Sequence, residues 1–342
     1  MDVMLHLGAH RSASTSFQKY LWTNRVRLAK RGLTSWTPKR TRDGLMAGMV
    51  RRPALITLED ERNAVRSVGR IRVEIERLER AGQNGLLISE ENLIGTMSNN
   101  VADAQLYPLL NERLMRFSPA FEGRKLRIGL GIRSYEAYWA SCLSRLVRRG
   151  LQMPSVDFLD FLTTQPRRWR HVIRDISTTF PDADLFVWPF ERMAGSPDRQ
   201  LGALWDGDCQ GLEGRDVWRG RSSDVWQMNE ILALRGEAPI ATGLLETKAR
   251  WMPFDDEQKA VLRAEYRGDL AWLADGAQGM ATFIDGRPTP ARYSEATQVN
   301  GQRMPEIRPD RADVTRTSVK NAVPLRGRQN GIEEGLGRSG AS

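Results

Sequence analysis

Four short apolar runs alternate with longer stretches typical of helices, and this alternation limits most strongly how the chain can fold. The predicted strands are residues 3–7, 85–89, 126–132 and 184–190. Helices are predicted from about residue 14 and over residues 60–80, 106–117, 135–147, 169–180, 197–205, 223–234 and 256–273. Strands separated by helices favour an α/β fold of three layers, with a mostly parallel central sheet flanked by helices. Residues 34–54 are rich in Thr, Arg, Lys and Pro and are interpreted as a loop with little core material.

Polar residues follow three of the four predicted strands directly. A polar loop comes after Leu7, the pair Glu90 and Glu91 comes after Ser89, and Arg133 comes after the third strand. In parallel sheets, ligands bind beyond the carboxyl ends of the strands. The pattern therefore predicts a binding site at this edge of the sheet.

The charge balance indicates an anionic partner. The 342 residues carry 51 basic and 42 acidic side chains, a formal net charge of +9. A nucleic acid, an acidic polysaccharide or a phosphorylated cofactor would suit this balance, and so would a basic surface that merely faces solvent. Basic residues are mixed with acidic ones and form no long run, so we do not expect nucleic acid.

The remaining composition is typical of a cytoplasmic protein. Cys142 and Cys209 are the only cysteines, too few for a disulfide framework or a cysteine-rich zinc site. No apolar run approaches the roughly 20 residues of a membrane helix, and the N-terminus lacks the pattern of a secretory signal. We therefore expect a cytoplasmic location and no membrane span.

The turn between the first strand and the first helix, residues 8–16 (GAHRSASTS), is suited to binding phosphate. It contains one glycine, the basic residue Arg11 and the hydroxyls of Ser12, Ser14, Thr15 and Ser16. The free N–H groups and the positive dipole end of a helix N-terminus favour an anion. The spacing of a Walker A loop is absent, which favours a phosphate site without metal over ATP hydrolysis. An ordinary turn whose hydroxyls cap the helix remains the alternative.

Four segments resemble the PAPS-dependent sulfotransferases, where PAPS is 3′-phosphoadenosine-5′-phosphosulfate. LHLGAHRSASTSFQKYL resembles the 5′-phosphosulfate loop of that family, in particular of its bacterial members. RIGLGIRSYEAYWASCLSRL resembles the family's 3′-phosphate motif, and GLLISEENLIG and DLFVWPFERM resemble two further strand ends. The order and separation of the four agree, over roughly residues 1–275. The resemblance implies a P-loop NTPase-like sulfotransferase fold in a domain of residues 1–285. A polar and basic tail, residues 286–342, is predicted to be disordered.

The resemblance also implies an activity and a set of binding residues. The expected enzyme transfers a sulfuryl group from PAPS to a hydroxyl or amine, releases PAP (3′-phosphoadenosine-5′-phosphate) and needs no metal. Arg11 would stabilise charge on the leaving oxygens, and Arg133 with Ser141 would hold the 3′-phosphate. The residues implied at the 5′ end are Arg11, Ser12, Ala13, Ser14, Thr15 and Ser16. Two of these depart from the family, because Arg11 replaces its usual lysine and Ala13 replaces its glycine.

A general base has to accept the acceptor's proton, and three residues are candidates. Glu91 matches the family's position, Glu90 comes second, and His10 beside the loop comes third. Either glutamate could instead cap the helix predicted to start near Asn92, and His10 could order the turn. His6 is predicted to pack in the core.

Two other functions remain open from the sequence. One is a P-loop kinase or another nucleotide phosphotransferase, which would bind ATP with Mg²⁺. The other is a non-catalytic protein of sulfotransferase-like fold that binds an anionic polymer. Basic residues at 38–42 and 145–149 favour an anionic glycan as acceptor, although a small alcohol is also possible. Residues 219–226 could add a phosphate contact, and Glu191 could help to close the site.

Overall fold

A parallel sheet of six strands forms the centre of the molecule. The computed structural model describes residues 1–217, 222–240 and 248–286. The strands are β1 (Asp2–His6), β2 (Leu33–Trp36), β3 (Gly85–Ser89), β4 (Leu126–Ile132), β5 (Asp184–Pro189) and β6 (Thr282–Phe283), in the order β2-β3-β1-β4-β5-β6. Every neighbouring pair is parallel, which confirms the predicted α/β fold with a parallel central sheet.

Helices connect the strands and cover the sheet. They are α1 (Ser14–Lys30), α2 (Pro38–Arg40), α3 (Leu58–Arg80), α4 (Met97–Ala102), α5 (Leu110–Met115), α6 (Tyr135–Val147), α7 (Val156–Thr163), α8 (Trp169–Thr179), α9 (Phe190–Met193), α10 (Pro197–Leu204), α11 (Val225–Leu234) and α12 (Asp256–Ala274). Local sequence explains where the longest helix, α3, begins, since Thr57 and Asp60 form a capping box at its start. Among the described residues, no helix combines the length and apolarity needed to span a membrane.

The core lies on both faces of the sheet. Successive side chains of a strand point to opposite faces, and β1 follows this rule: Val3 and Leu5 belong to one buried cluster, whereas Met4 belongs to another. Burial on both faces explains why the central strands are continuous apolar runs instead of alternating ones. The polar residues that follow these strands therefore lie at the end of the sheet, where the apolar runs stop.

The interpretation of residues 34–54 as a loop is wrong in part. Its beginning belongs to β2, and Trp36, Leu45, Met46 and Met49 are buried. β2 is an edge strand with one neighbour, and its central residues are the polar pair Thr34 and Ser35. It therefore lacks the apolar run that identifies the central strands.

The predicted helix over residues 106–117 is shorter in the structure. Only Leu110–Met115 is helical, because Tyr107 and Leu109 have positive φ angles of 43° and 57° on either side of Pro108. The predicted strand 184–190 ends at Pro189, and Phe190 begins α9. The predicted tail, residues 286–342, lies outside the described residues except for Gly286.

Candidate functional site

A cavity of about 950 Å³ opens where the central strands end. The polar residues that follow β1, β3 and β4 all contribute to its wall, so the convergence expected from the sequence is present. The lining residues include His10, Arg11, Ala13, Ser14, Thr15, Arg42, Glu91, Asn92, Arg133, Ser144, Arg145, Arg148, Arg149, Phe190, Ser222, Ser223 and Arg250.

The N-terminus of α1 forms one side of this cavity. No side chain caps the helix, and within the described residues the backbone N–H groups of Ala13, Ser14 and Thr15 have no acceptor. Three unpaired donors at the positive end of a helix of 17 residues favour an anion. The alternative from the sequence, a turn whose hydroxyls cap the helix, is not what the structure contains.

The loop before α1 adopts left-handed backbone conformations at three positions. The φ angles are 39° at Gly8, 64° at Arg11 and 68° at Ala13. A side chain at Gly8 would place its Cβ 2.5 Å from Ser14 Oγ, so glycine is required there. Non-glycine residues in this region cost about 1 to 2 kcal/mol each. Ala13 therefore holds strained backbone.

The four loop hydroxyls differ in what they contact. Ser12 donates to the carbonyl of Ala9 at 2.5 Å and is buried away from the cavity. Ser16 is also buried and does not line the cavity. Ser14 and Thr15 do line it, and the bond of Ser14 to the carbonyl of Ala9 is long, at 3.4 Å. Only these two hydroxyls are therefore placed to contact a ligand directly.

Arg11, expected at the 5′ end of the ligand, contacts Ser141, expected at its 3′ end. Its Nε donates to Ser141 Oγ at 2.8 Å, and its Nη2 donates to Ser222 Oγ at 3.3 Å. The two serine hydroxyls are 2.6 Å apart and hydrogen-bond to each other. Ser141 lies behind the cavity wall, and its neighbour on the next turn, Ser144, reaches the wall.

Arg133 is almost fully buried, yet one of its donors has no partner. Its Nη1 donates to the carbonyl of Arg11 at 2.7 Å, and its guanidinium lies 4.4 Å from the ring centre of Phe190. The Nε atom is buried without an acceptor among the described residues. Burial lowers the pKa of Arg133 to about 10, so the group stays charged at neutral pH. An unpaired buried donor on a charged group is costly and favours an anionic ligand nearby.

Four further arginines form a basic wall, defined as Arg145, Arg148, Arg149 and Arg250. None of them forms an ion pair within the described residues, and the pKa of Arg145 is lowered by burial and by its arginine neighbours. The first three lie at the end of α6, in the segment identified as basic from the sequence. Arg250 was missed, because it is distant in the chain and belongs to no motif.

The two predicted glutamates occupy different environments. Glu90 is 1% exposed, accepts from Arg42 at 2.6 and 3.0 Å and from Thr41 at 2.6 Å, and caps the turn at the backbone N–H of Asn92. It does not line the cavity. Glu91 does, and it accepts from Gln18 at 2.6 Å and from Arg42 at 3.0 Å.

The electrostatic surroundings keep Glu91 ionised. Burial acts to raise its pKa, but interactions with His10, Arg42 and Gln18 outweigh that effect, so its pKa is lowered overall. Glu91 is therefore a charged carboxylate at neutral pH, in the same cavity wall as the loop before α1. Among the described residues, no group of three or more His, Cys, Asp or Glu is arranged to hold a metal ion.

His10 lines the cavity with its ring held on both sides. Its Nδ1 is 3.1 Å from the Tyr107 hydroxyl, and its Nε2 is 3.2 Å from Asn92 Oδ1. Its backbone N–H also donates to the Tyr107 hydroxyl, at 2.8 Å. Burial lowers the pKa of His10, so the ring is neutral at neutral pH.

The other candidate residues contribute less to the cavity. His6 is buried in the core and its Nδ1 lies 2.8 Å from Ser89 Oγ. Glu191 accepts from the Ser134 backbone N–H at 2.9 Å and from the Tyr266 hydroxyl at 2.8 Å, outside the cavity wall. Of the segment 219–226, Ser222 and Ser223 line the cavity, and residues 219–221 lie outside the described part of the chain.

Comparison with known proteins identifies no relative of this chain. No protein-family model matches it, and neither a curated protein nor a solved structure is significantly similar to it.

Proposed function

We propose that this protein binds PAPS and transfers its sulfuryl group to a hydroxyl or amine of an acceptor, releasing PAP. One observation supports the proposal above all others: two separate groups of donors lie at one cavity. The first is the set of unpaired N–H groups at the N-terminus of α1, next to Arg11. The second is Arg133, whose buried Nε has no acceptor among the described residues, beside the basic wall. A ligand with anionic groups at both its 5′ and 3′ ends would satisfy both sets. We expect the reaction to take place in the cytoplasm.

The proposed roles at the 5′ end follow from the chemistry of sulfuryl transfer. A bond forms between the acceptor oxygen or nitrogen and sulfur, while the bond from sulfur to the bridging phosphate oxygen breaks. Negative charge develops on that leaving oxygen, where positioned donors stabilise it. Arg11 and the N–H groups of Ala13, Ser14 and Thr15 supply such donors. Arg11 keeps its proton throughout, so it contributes charge and hydrogen bonds instead of acid catalysis.

The proton of the acceptor goes to Glu91 in this proposal. Glu91 is the acidic side chain among the described lining residues, and it is already ionised. Its partners Gln18 and Arg42 hold the carboxylate in place. Glu90 is assigned a structural role, because its oxygens are occupied by Arg42, Thr41 and the backbone of Asn92.

The basic wall supports an acceptor that itself carries negative charge. With Arg11, Arg42 and Arg133, its four arginines place seven guanidinium groups around the cavity. The ion pair with Glu91 offsets the charge of Arg42, which leaves six positive charges. PAPS carries about four negative charges at neutral pH, so roughly two positive charges are left uncompensated. An acidic glycan would offset them.

A ligand comparison tests the binding step. Thermal unfolding and calorimetry of the full chain with PAP, PAPS and ATP–Mg²⁺ should show stabilisation by PAP and PAPS, and none that requires Mg²⁺. Arg133→Ala should weaken PAP binding, whereas the matched control Arg62→Ala, at an exposed position on α3, should not. If ATP–Mg²⁺ stabilises the protein and PAP does not, the proposal fails in favour of a nucleotide phosphotransferase.

An acceptor panel tests the transfer step. The protein is incubated with ³⁵S-labelled PAPS and with acidic glycans, neutral glycans, phenols, amines and small alcohols. Label should appear in at least one class, first among the acidic glycans. PAP binding without transfer to any class would indicate a binding protein of this fold. The loss of transfer would then be attributed to Arg11 and Ala13, the two departures from the sulfotransferase loop.

A further inference from the structure

A chain of hydrogen bonds leads from the core of the protein to His10. It starts at Asn100, whose orientation is fixed because its Oδ1 accepts from the backbone N–H of Tyr107 at 3.1 Å. The Asn100 amide must then donate its Nδ2–H to the Tyr138 hydroxyl, 2.6 Å away. The same Asn100 side chain thus holds the backbone of Tyr107, and the Tyr107 hydroxyl contacts His10.

The direction of each donor along this chain determines which nitrogen of His10 is protonated. The Oδ1 atom of Asn92 can only accept, so His10 Nε2, 3.2 Å away, is the donor of that pair. The Tyr107 oxygen accepts from the backbone N–H of His10 at 2.8 Å, and its own proton is still available to donate. The remaining Tyr107 proton therefore points to His10 Nδ1, 3.1 Å away. Nδ1 is the acceptor, and the single proton of the neutral ring is on Nε2.

We propose that His10 is a positioning residue that donates from Nε2 to Asn92 Oδ1, and is not the base of the reaction. With its oxygen held 3.2 Å from Nε2, Asn92 keeps its Nδ2 donor for the ligand, in the wall beside Glu91. Both nitrogens of His10 are then occupied, and neither can accept a proton from an acceptor substrate. The catalytic role of this arrangement rests on the proposed function, whereas the tautomer is assigned from the hydrogen bonds alone.

The tautomer is measured directly in the full chain without any ligand. Long-range ¹H–¹⁵N spectra distinguish protonated from unprotonated ring nitrogens, and the sequence has three histidines, so His6→Asn and His171→Asn assign the signals. We expect the Nε2–H form of His10 at pH 7, unchanged at pH 8. A signal from Nδ1–H, or from the doubly protonated ring at pH 7, overturns the proposal.

The positioning role is tested with two amide substitutions. His10→Gln retains an N–H donor near the place of Nε2, whereas His10→Asn has one only near the place of Nδ1. The side-chain amide signals of Asn92 should stay close to their wild-type positions in the first variant. In the second they should move towards those of a freely rotating amide. Unchanged Asn92 signals in both variants would contradict the proposal.

Two controls separate this proposal from folding effects and from the proposed function. Tyr107→Phe removes the donor to Nδ1, so both tautomers of the His10 ring should become populated. This test does not depend on whether the His10 variants fold. A single tautomer in Tyr107→Phe would contradict the hydrogen-bond relay from Tyr107 to His10. PAP titration is run on the wild type in parallel. If the Nε2–H form is observed but PAP does not bind, the proposed function fails and the hydrogen-bond relay stands.

Discussion

Arg133 donates from Nη1 to the backbone carbonyl oxygen of Arg11, 2.7 Å away, and so ties the end of β4 to the loop that follows β1. The peptide that Arg133 holds belongs to a residue with a positive φ of 64°. Because strained backbone persists only where its surroundings enforce it, Arg133 shapes the loop before α1 as well as lining the cavity. One side chain thus couples the two anion sites that we propose.

Substitution of Arg133 should therefore weaken PAP binding more than loss of one contact would. We expect the Kd for PAP to rise about tenfold in Arg133→Lys, which keeps the charge, and about a hundredfold in Arg133→Ala. Isothermal titration calorimetry measures both, with Arg62→Ala as the control for lost surface charge. Wild-type affinity in Arg133→Ala would show that the 3′ group binds elsewhere in the cavity.

Substitution by glutamine should mainly affect stability at Glu90 and mainly affect turnover at Glu91. Glu90→Gln leaves Arg42 and Thr41 facing an amide in a buried site, and should lower the free energy of unfolding by about 3 kcal/mol. Glu91→Gln should cost less than about 1 kcal/mol, because Glu91 is partly exposed. Turnover with the acceptor found in the panel should fall at least about a hundredfold in Glu91→Gln. Urea unfolding and initial rates test the pair, and equal stability losses would contradict the assignment.

The sequence predicted most of the frame and part of the site. Continuous apolar runs identify β1, β3, β4 and β5, and strand ends in a parallel sheet place the loop, Glu91 and Arg133 together. The edge strand β2 was missed because only one of its sides is paired, so its central residues can be polar. Arg250 and the contact of His10 with Asn92 depend on chain segments far apart in sequence, which no local pattern encodes.

Ala13 should limit stability more than function. Its φ of 68° suits glycine, so Ala13→Gly releases backbone strain of about 1 to 2 kcal/mol and loses about 0.4 to 1 kcal/mol through the more flexible unfolded chain. We expect a net gain of up to about 1.6 kcal/mol in the free energy of unfolding. Ala81→Gly is the matched control: it ends α3 at an unstrained φ of −81° and should only destabilise. Destabilisation of equal size in both variants would refute strain at Ala13.

His6 should make the protein less stable as the pH falls. Burial lowers its pKa from 6.5 to about 4, so between these values His6 is protonated in the unfolded chain but not in the folded one. The unfolded state binds the extra proton, and acidification therefore favours unfolding. From pH 7 to pH 5 this one residue should remove about 2 kcal/mol of stability. Asparagine at position 6 can keep a bond to Ser89 but does not titrate, so urea unfolding of His6→Asn should show a pH dependence smaller by that amount. His171→Asn, at the more exposed start of α8, should retain most of the wild-type dependence, and an unaltered slope in His6→Asn would exclude His6 as its source.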